Sequence, residues 1–376
     1  MGIEIFGHLT HRNESEAHQG GQASLDCDYI KRQAREHEYA GFDGVLVGGG
    51  GDGPDSLQIA ALGVAQTEKL NFLIANRPGL VSPTMVARSY ATLDQISQGR
   101  IRFHVISGRD LDGQMRYGDP LKKESRYQRT REFMQVVKQS WTSSSGFDYH
   151  GEYYQIENFA ATILPYRQPR IPLYFAGNSD EAYPVGGAEA DGYALYAQPL
   201  DRLRQDIGRI RAEAVAAGRE RGPAIIVFVR LILGATDELA WLRAEELRAL
   251  VRRQADGAGS SLARWTPASD GRAASVGDQK QVDANKRGER HDRALWTGLS
   301  EITRRGKSSA LVGSPETVVA ALLDYVDAGV SIFILDGFDR LNDVHDYGRY
   351  IIPALKQAAA GRGQPTNPPA NQQEDA

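Results

Sequence analysis

The feature that most limits what this chain can become is a regular alternation. Short runs rich in β-formers occur at "IEIFGHL" (3–9), "DGVLV" (43–47), "LNFLIA" (70–75), "RIRFHVI" (100–106), "IPLYFAG" (171–177), "GYALYA" (192–197), "AIIVFVRLIL" (224–233) and "VSIFILDG" (330–337). Longer segments of helical period lie between them, among them "SPTMVARSYATLDQIS" (82–97), "SRYQRTREFMQVVKQSW" (125–141), "LDRLRQDIGRIRAEAVAAG" (200–218) and "SPETVVAALLDYVDAG" (314–329). Strands joined through helices run parallel, because a crossover returns the chain to the end at which the previous strand began. Eight such units predict an α/β fold, a (β/α)8 TIM barrel, with functional groups at the C-terminal ends of the strands.

One large domain over residues 1–360 accounts for a chain of 376 residues that is 41% hydrophobic and 24% charged. Two polar, Gly-containing stretches exceed a minimal barrel: about 107–124 after the fourth strand and about 250–310 after the seventh. Insertions on the catalytic face serve as lids or walls. The tail 361–376, "GRGQPTNPPANQQEDA", has almost no apolar residues and is expected to be disordered. A net charge of −4, with basic residues dispersed among acids, gives no footprint for nucleic acid. The single cysteine, Cys27, excludes an intrachain disulfide framework and a cysteine-based zinc site. With no run approaching the ~20 apolar residues of a membrane span, and no basic-then-apolar leader, a cytoplasmic protein is expected.

Each candidate motif has a plainer reading beside it. "DGVLVGGGGDGPDSL" matches G-x-G-x-x-G through Gly48, Gly50 and Gly53, but on the second strand, and four consecutive glycines satisfy many patterns; the plainer reading is a tight turn at the barrel mouth. His8 and His11 are three apart on a strand and face opposite ways, which argues against a shared metal. His11, just beyond the first strand, is a site candidate or an exposed loop histidine. Gly177, Asn178 and Ser179, between the fifth strand and a helix, form either a phosphate cradle or an ordinary N-cap. In "SRYQRTREF", Ser125 is a candidate cap and Tyr127 a second phosphate donor. Arg230 and Ile232 share one face of the seventh strand, where the arginine serves as an anion clamp or pairs with a neighbouring carboxylate such as Asp336. Arg304, in "TRRGKSS", sits in a basic loop able to fold over an anion or to remain solvated.

Taken in order, "RPGLVSPTMVARSYATLDQISQGRIRFHVISG", "SRYQRTREF", "PLYFAGNSDEA", "VRLIL" and "ALVGSPETVVAALLDYVDAGVSIFILDGF" resemble the bacterial luciferase-like flavin-dependent monooxygenases, specifically the alkanesulfonate monooxygenase branch, over residues 3–355. The resemblance implies a barrel that takes FMN as FMNH2 from a separate NAD(P)H-dependent flavin reductase and uses O2 to oxidise a small organic substrate. It places flavin contacts at His104, Ser107, Tyr127, Gly177, Asn178 and Ser179, with His104 standing where relatives carry asparagine. It assigns catalytic roles to His11, Arg230 and Arg304. At the substrate pocket the chain departs from the branch: Gly53 replaces a cysteine, Tyr196 a tryptophan, Ile232 a histidine and Phe338 a tyrosine. A short sulfonate would lose much of its hydrogen-bond ring, so a larger or less polar substrate is expected. Within the same fold, hydride transfer with the deazaflavin F420 is the alternative, and a catalytically silent flavin-binding protein is a third reading. Relatives pair through barrel helices, which implies a homodimer or homotetramer.

Overall fold

The computed structural model describes residues 2–18, 23–48, 53–108, 114–256, 275–303 and 306–362. Eight parallel strands close into a barrel: β1 (Glu4–Leu9), β2 (Gly44–Val47), β3 (Asn71–Asn76), β4 (Ile101–Ile106), β5 (Leu173–Ala176), β6 (Gly192–Tyr196), β7 (Ala224–Leu233) and β8 (Val330–Asp336). The order is that of the chain, and the β6–β7 and β8–β1 pairings complete the ring. All eight coincide with the runs read from the sequence.

Alternation sets the two faces of each strand. Phe6, Leu73, Tyr174, Ile226, Phe228, Ile332 and Ile334 fill the barrel interior. Residues one position along, such as Ile5, Phe72, Phe103, Phe175 and Val227, turn outward into the larger core beneath the helices. Local chemistry starts the helices where the sequence places them. Ser82 and Ser314 accept from backbone N–H groups three residues on, each followed by proline at the first helical position, and Asp26 and Asp55 cap the 27–39 and 56–64 helices. Ser125 does not cap: the Lys123–Thr142 helix starts after Lys122 without a side-chain cap, because the chain enters helical geometry two residues earlier than the serine pattern suggests.

One strand is exceptional. β7 runs for ten residues, and its first half lies between β6 and β8. Pairing with β6 stops at Tyr196–Phe228, and beyond it Ala310–Gly313 takes the vacated place, in register from Ala310–Arg230 to Gly313–Leu233. Arg230 and Ile232 therefore continue the inward face past the end of β6, into the barrel mouth.

The described part of the 250–310 stretch holds a helix, Val276–Lys286, and a two-residue antiparallel pairing that joins Ala310–Gly313 through Leu295–Trp296. Arg304 and residues 363–376 of the tail lie outside the described residues, as do 109–113 of the other predicted insertion. Among the described residues no helix is long and apolar enough to cross a membrane.

Candidate active site

Two groups of side chains occupy the C-terminal end of the barrel. The first gathers around the turn after β5. Gly177 must lack a side chain, since a Cβ there would come 2.6 Å from the Ala182 Cβ and 3.1 Å from the Tyr127 hydroxyl. Its carbonyl accepts from the Tyr193 hydroxyl at 2.7 Å. Asn178 and Ser179 follow, yet neither side chain caps the Ala182–Glu189 helix, which starts after Glu181 without a side-chain cap. The ordinary N-cap reading of these residues therefore fails, and the buried Asn178 Oδ1 has no hydrogen-bond partner. Ser179 is buried.

The Lys123–Thr142 helix supplies the facing wall. Its buried face carries Arg126, Tyr127, Arg129 and Thr130, one turn of neighbours. Burial pushes the Tyr127 phenol above its ordinary range, with the Ser179 hydroxyl beside it acting in the opposite direction. Thr130 donates to the Ser107 Oγ at 3.1 Å and so holds the end of β4 against the same helix. Arg129 fastens the segment before the helix through two bonds to Asp119, at 2.9 and 2.6 Å, and donates to the Pro78 carbonyl at 3.0 Å. Lys123 pairs with Glu181 at 2.8 Å, setting that carboxylate aside from the turn. His104 projects from β4 into the interior; burial lowers its pKa to about 4, and Nδ1 is buried without a partner. Ser107, Tyr127, Gly177, Asn178 and Ser179 are thus drawn together by β4, β5 and one helix. A phosphate-bearing cofactor needs donors, and beside a turn where only glycine fits the Asn178 amide supplies them once it is rotated to present its N–H groups.

The second group lies on the side of β7, β8 and β1. Arg230 is completely buried. Its Nη1 donates to Glu16 Oε2 at 2.6 Å and its Nη2 to Asp336 Oδ2 at 3.3 Å, and the guanidinium carbon sits 4.2 Å from the Phe338 ring centroid. Asp336 also accepts from Arg340 Nε at 2.9 Å and lies 3.2 Å from His8 Nδ1. The loop after β1 closes over this assembly: Ser15 donates to the Phe338 carbonyl at 2.6 Å, and Arg340 donates to the Glu14 carbonyl. Burial by itself would raise the Glu16 pKa, but Arg230, Lys307 and Arg340 outweigh it and hold the group at about 2. Burial likewise acts to raise Asp336, and Arg340, His8 and Arg230 keep it well below the ordinary range. Burial lowers His8, so its imidazole is neutral near pH 7.

The pairing of Arg230 with a neighbouring-strand carboxylate is therefore present, joined by a second carboxylate from a loop. Ile232 and Phe338 pack together in an apolar cluster with Trp296, Leu299 and Val312, against which Ala17 also rests. Tyr196 is half-buried inside the barrel, edge-on to Phe228 at 6.0 Å between centroids. Gly277 of the inserted helix comes so close that a Cβ would lie 2.6 Å from Asn178 Nδ2 and 3.4 Å from the Tyr196 ring, which links the two sides of the mouth. His11 is half-buried on the loop after β1, and burial followed by Arg12 lowers its pKa. Gly53 is exposed beyond β2, and Gly50 of the glycine motif lies outside the described residues. The closed barrel leaves no open doubly wound sheet for a dinucleotide fingerprint. Glu16 and Arg340 carry the electrostatics of this side and were not singled out by motif: Glu16 reads as one more polar residue of "HRNESEAHQ".

Residues 3–331 match the luciferase-like monooxygenase family. Three solved structures superpose on nearly the whole chain. A riboflavin lyase with modified FMN and riboflavin is 21% identical, with 97% of this chain and 93% of that chain covered and a TM-score of 0.75. The EDTA monooxygenase EmoA from Chelativorans sp. BNC1 is 16% identical, with coverages of 95% and 94% and a TM-score of 0.74. An F420-dependent secondary alcohol dehydrogenase in complex with an F420-acetone adduct is 17% identical, with coverages of 94% and 99% and a TM-score of 0.67. At these identities the likeness is one of fold.

Proposed function

The chain belongs to the luciferase-like monooxygenase family, and from that premise we propose that it is an FMNH2-dependent two-component monooxygenase, alkanesulfonate-monooxygenase-like in plan but with an altered substrate site. The observation that carries the reading is the partnerless Asn178 Oδ1, whose amide can turn to present its N–H groups to a phosphate, beside Gly177, where a side chain would strike Ala182 and Tyr127. Ser107, Tyr127, Gly177, Asn178 and Ser179 would hold the phosphate end of FMN, and His104 would meet the ring system with a neutral imidazole. Reduced FMN, when bound, would supply the electrons that activate O2. The protein's own work is to orient and to exclude water: the loop after β1 covers the mouth, and Ile232, Phe338 and Trp296 give it an apolar wall.

We assign substrate handling to His11, Arg230 and Arg304, with Gly53, Tyr196, Ile232 and Phe338 as pocket residues. The substrate is a small organic molecule larger or less polar than a short alkanesulfonate. A separate NAD(P)H-dependent flavin reductase supplies the reduced flavin, and the working form is a homodimer or homotetramer.

Anaerobic titration of the purified chain checks the cofactor assignment: reduced FMN is expected to bind more tightly than oxidised FMN, and turnover to require oxygen. The F420-dependent alcohol dehydrogenase among the structural neighbours gives a second reading, hydride transfer without oxygen. Turnover with reduced F420 under anaerobic conditions would establish that alternative and sink the first.

A further inference from the structure

Positively charged side chains at a barrel mouth invite an anionic substrate, yet this chain answers Arg230 from within. Glu16 sits on the loop after β1, 214 residues away in sequence, and its carboxylate reaches the guanidinium at 2.6 Å. Both side chains are at most 2% exposed. Asp336 takes the other amino group, and Arg340 balances Asp336. Phe338 covers the guanidinium face, and Ala17, next to Glu16, rests on the apolar cluster of Ile232 and Phe338. The position that an anionic head group would need is thus taken by a carboxylate of the protein.

What the pair leaves over is specific. Arg230 Nε and Glu16 Oε1 are both buried without a hydrogen-bond partner. One is a donor and the other an acceptor. A hydroxyl or amide brought to them when the loop carrying Glu16 admits a ligand can donate to one and accept from the other, whereas a sulfonate or carboxylate, which only accepts, would face the unpaired oxygen of Glu16.

We infer that Glu16 is a specificity-determining residue that neutralises Arg230 and restricts the substrate to molecules presenting an uncharged hydroxyl or amide group to this side of the mouth. The inference rests on the reading of this end of the barrel as the substrate site. It extends that reading, because an arginine in this place would otherwise select an anion.

The test compares octanol with octanesulfonate, equal in chain length and opposite in charge class, by calorimetry on the full chain. Wild type is expected to bind the alcohol at least tenfold more tightly than the sulfonate. Glu16→Gln is expected to raise sulfonate affinity at least tenfold, and Glu16→Gln combined with Arg230→Met to abolish that gain. A folded Glu16→Gln that gains nothing overturns the inference, and so does wild-type protein that binds the sulfonate at least as well, because an anion then displaces Glu16. Should Glu16→Gln fail to fold, the melting temperature of wild type with each probe decides: the alcohol must stabilise more than the sulfonate. Binding of reduced FMN and its oxygen requirement are measured separately, so failure of the cofactor reading is told apart from failure of this one.

Discussion

The two sides of the barrel mouth treat their polar groups in opposite ways. Around Gly177 the chain buries an amide oxygen and, on β4, an imidazole nitrogen, and gives neither a partner. Around Arg230 it buries two arginines and two carboxylates and pairs their charges with one another, leaving only Arg230 Nε and Glu16 Oε1 without a hydrogen bond. A buried polar atom without a partner costs roughly 1–3 kcal/mol, so each side carries a deficit that a ligand can repair, but on the first side the spare atoms belong to neutral groups and on the second to an ion pair. A buried ion pair is close to neutral as a whole and expensive only when halved. The contrast separates a side with neutral polar atoms to spare, which we propose as the cofactor side, from one whose charges are already answered.

Halving the pair should therefore produce the largest effect. Arg230→Ala leaves the buried Glu16 carboxylate without its hydrogen-bonded partner while Asp336 keeps Arg340, and a loss of about 3–5 kcal/mol is expected in urea denaturation. Glu16→Gln combined with Arg230→Met removes both charges with similar volume and should recover most of that stability. If Arg230→Ala instead unfolds like wild type, the mouth is wetter than its burial implies and the two sides do not differ in kind.

The legibility of the chain divides along the same line. Strand and helix positions were readable because periodicity of two or near four is local, and Tyr127 and Gly177–Ser179 were readable as phosphate-side candidates because they lie at helix starts at the barrel mouth, whereas Ser107 and His104 came only through the family resemblance. Asp336 was readable as a partner for Arg230 because β7 and β8 are adjacent in any barrel of this order. Glu16 was not. Nothing local distinguishes it from Glu14 in "RNESEAH", and only the closing of the β1 loop brings it to β7. The failed capping expectation at Asn178 is also informative: a residue type favoured at helix starts stood at a helix start without capping it, and its spare oxygen is what marks the site.

Acid should act on the carboxylates of the second side in a lower window than on the buried imidazoles, which include His104 on the first side and His8 on the second. Burial lowers His104 to about 4 from an ordinary 6.5, so the unfolded chain takes up its proton first. The stability it contributes is complete above pH 6.5 and declines as pH falls toward 4, by at most ~3 kcal/mol. The buried His37, also lowered to about 4, adds to the same window. Glu16 responds lower down: held at about 2 against an ordinary 4.5, it contributes fully above pH 4.5 and loses that contribution between there and 2. Denaturation midpoints measured across pH for wild type and His104→Asn should differ chiefly between pH 6.5 and 4. A difference confined to the lower window would mean that the imidazole is not desolvated.

The smallest effect tests the comparison most directly. Asn178→Ala deletes a group whose oxygen already lacks a partner, so folding stability should stay within ~0.5 kcal/mol of wild type, unlike the ordinary loss of a buried hydrogen bond. Rotation of the amide exchanges its oxygen for N–H donors, and a phosphate placed at the turn would accept from them. Loss of one such bond, worth ~1–1.5 kcal/mol, predicts five- to tenfold weaker binding of FMN in a fluorescence titration. Unchanged affinity with lowered stability would invert the assignment: Asn178 would then be a structural residue, and the difference between the two sides of the mouth would rest on His104 alone.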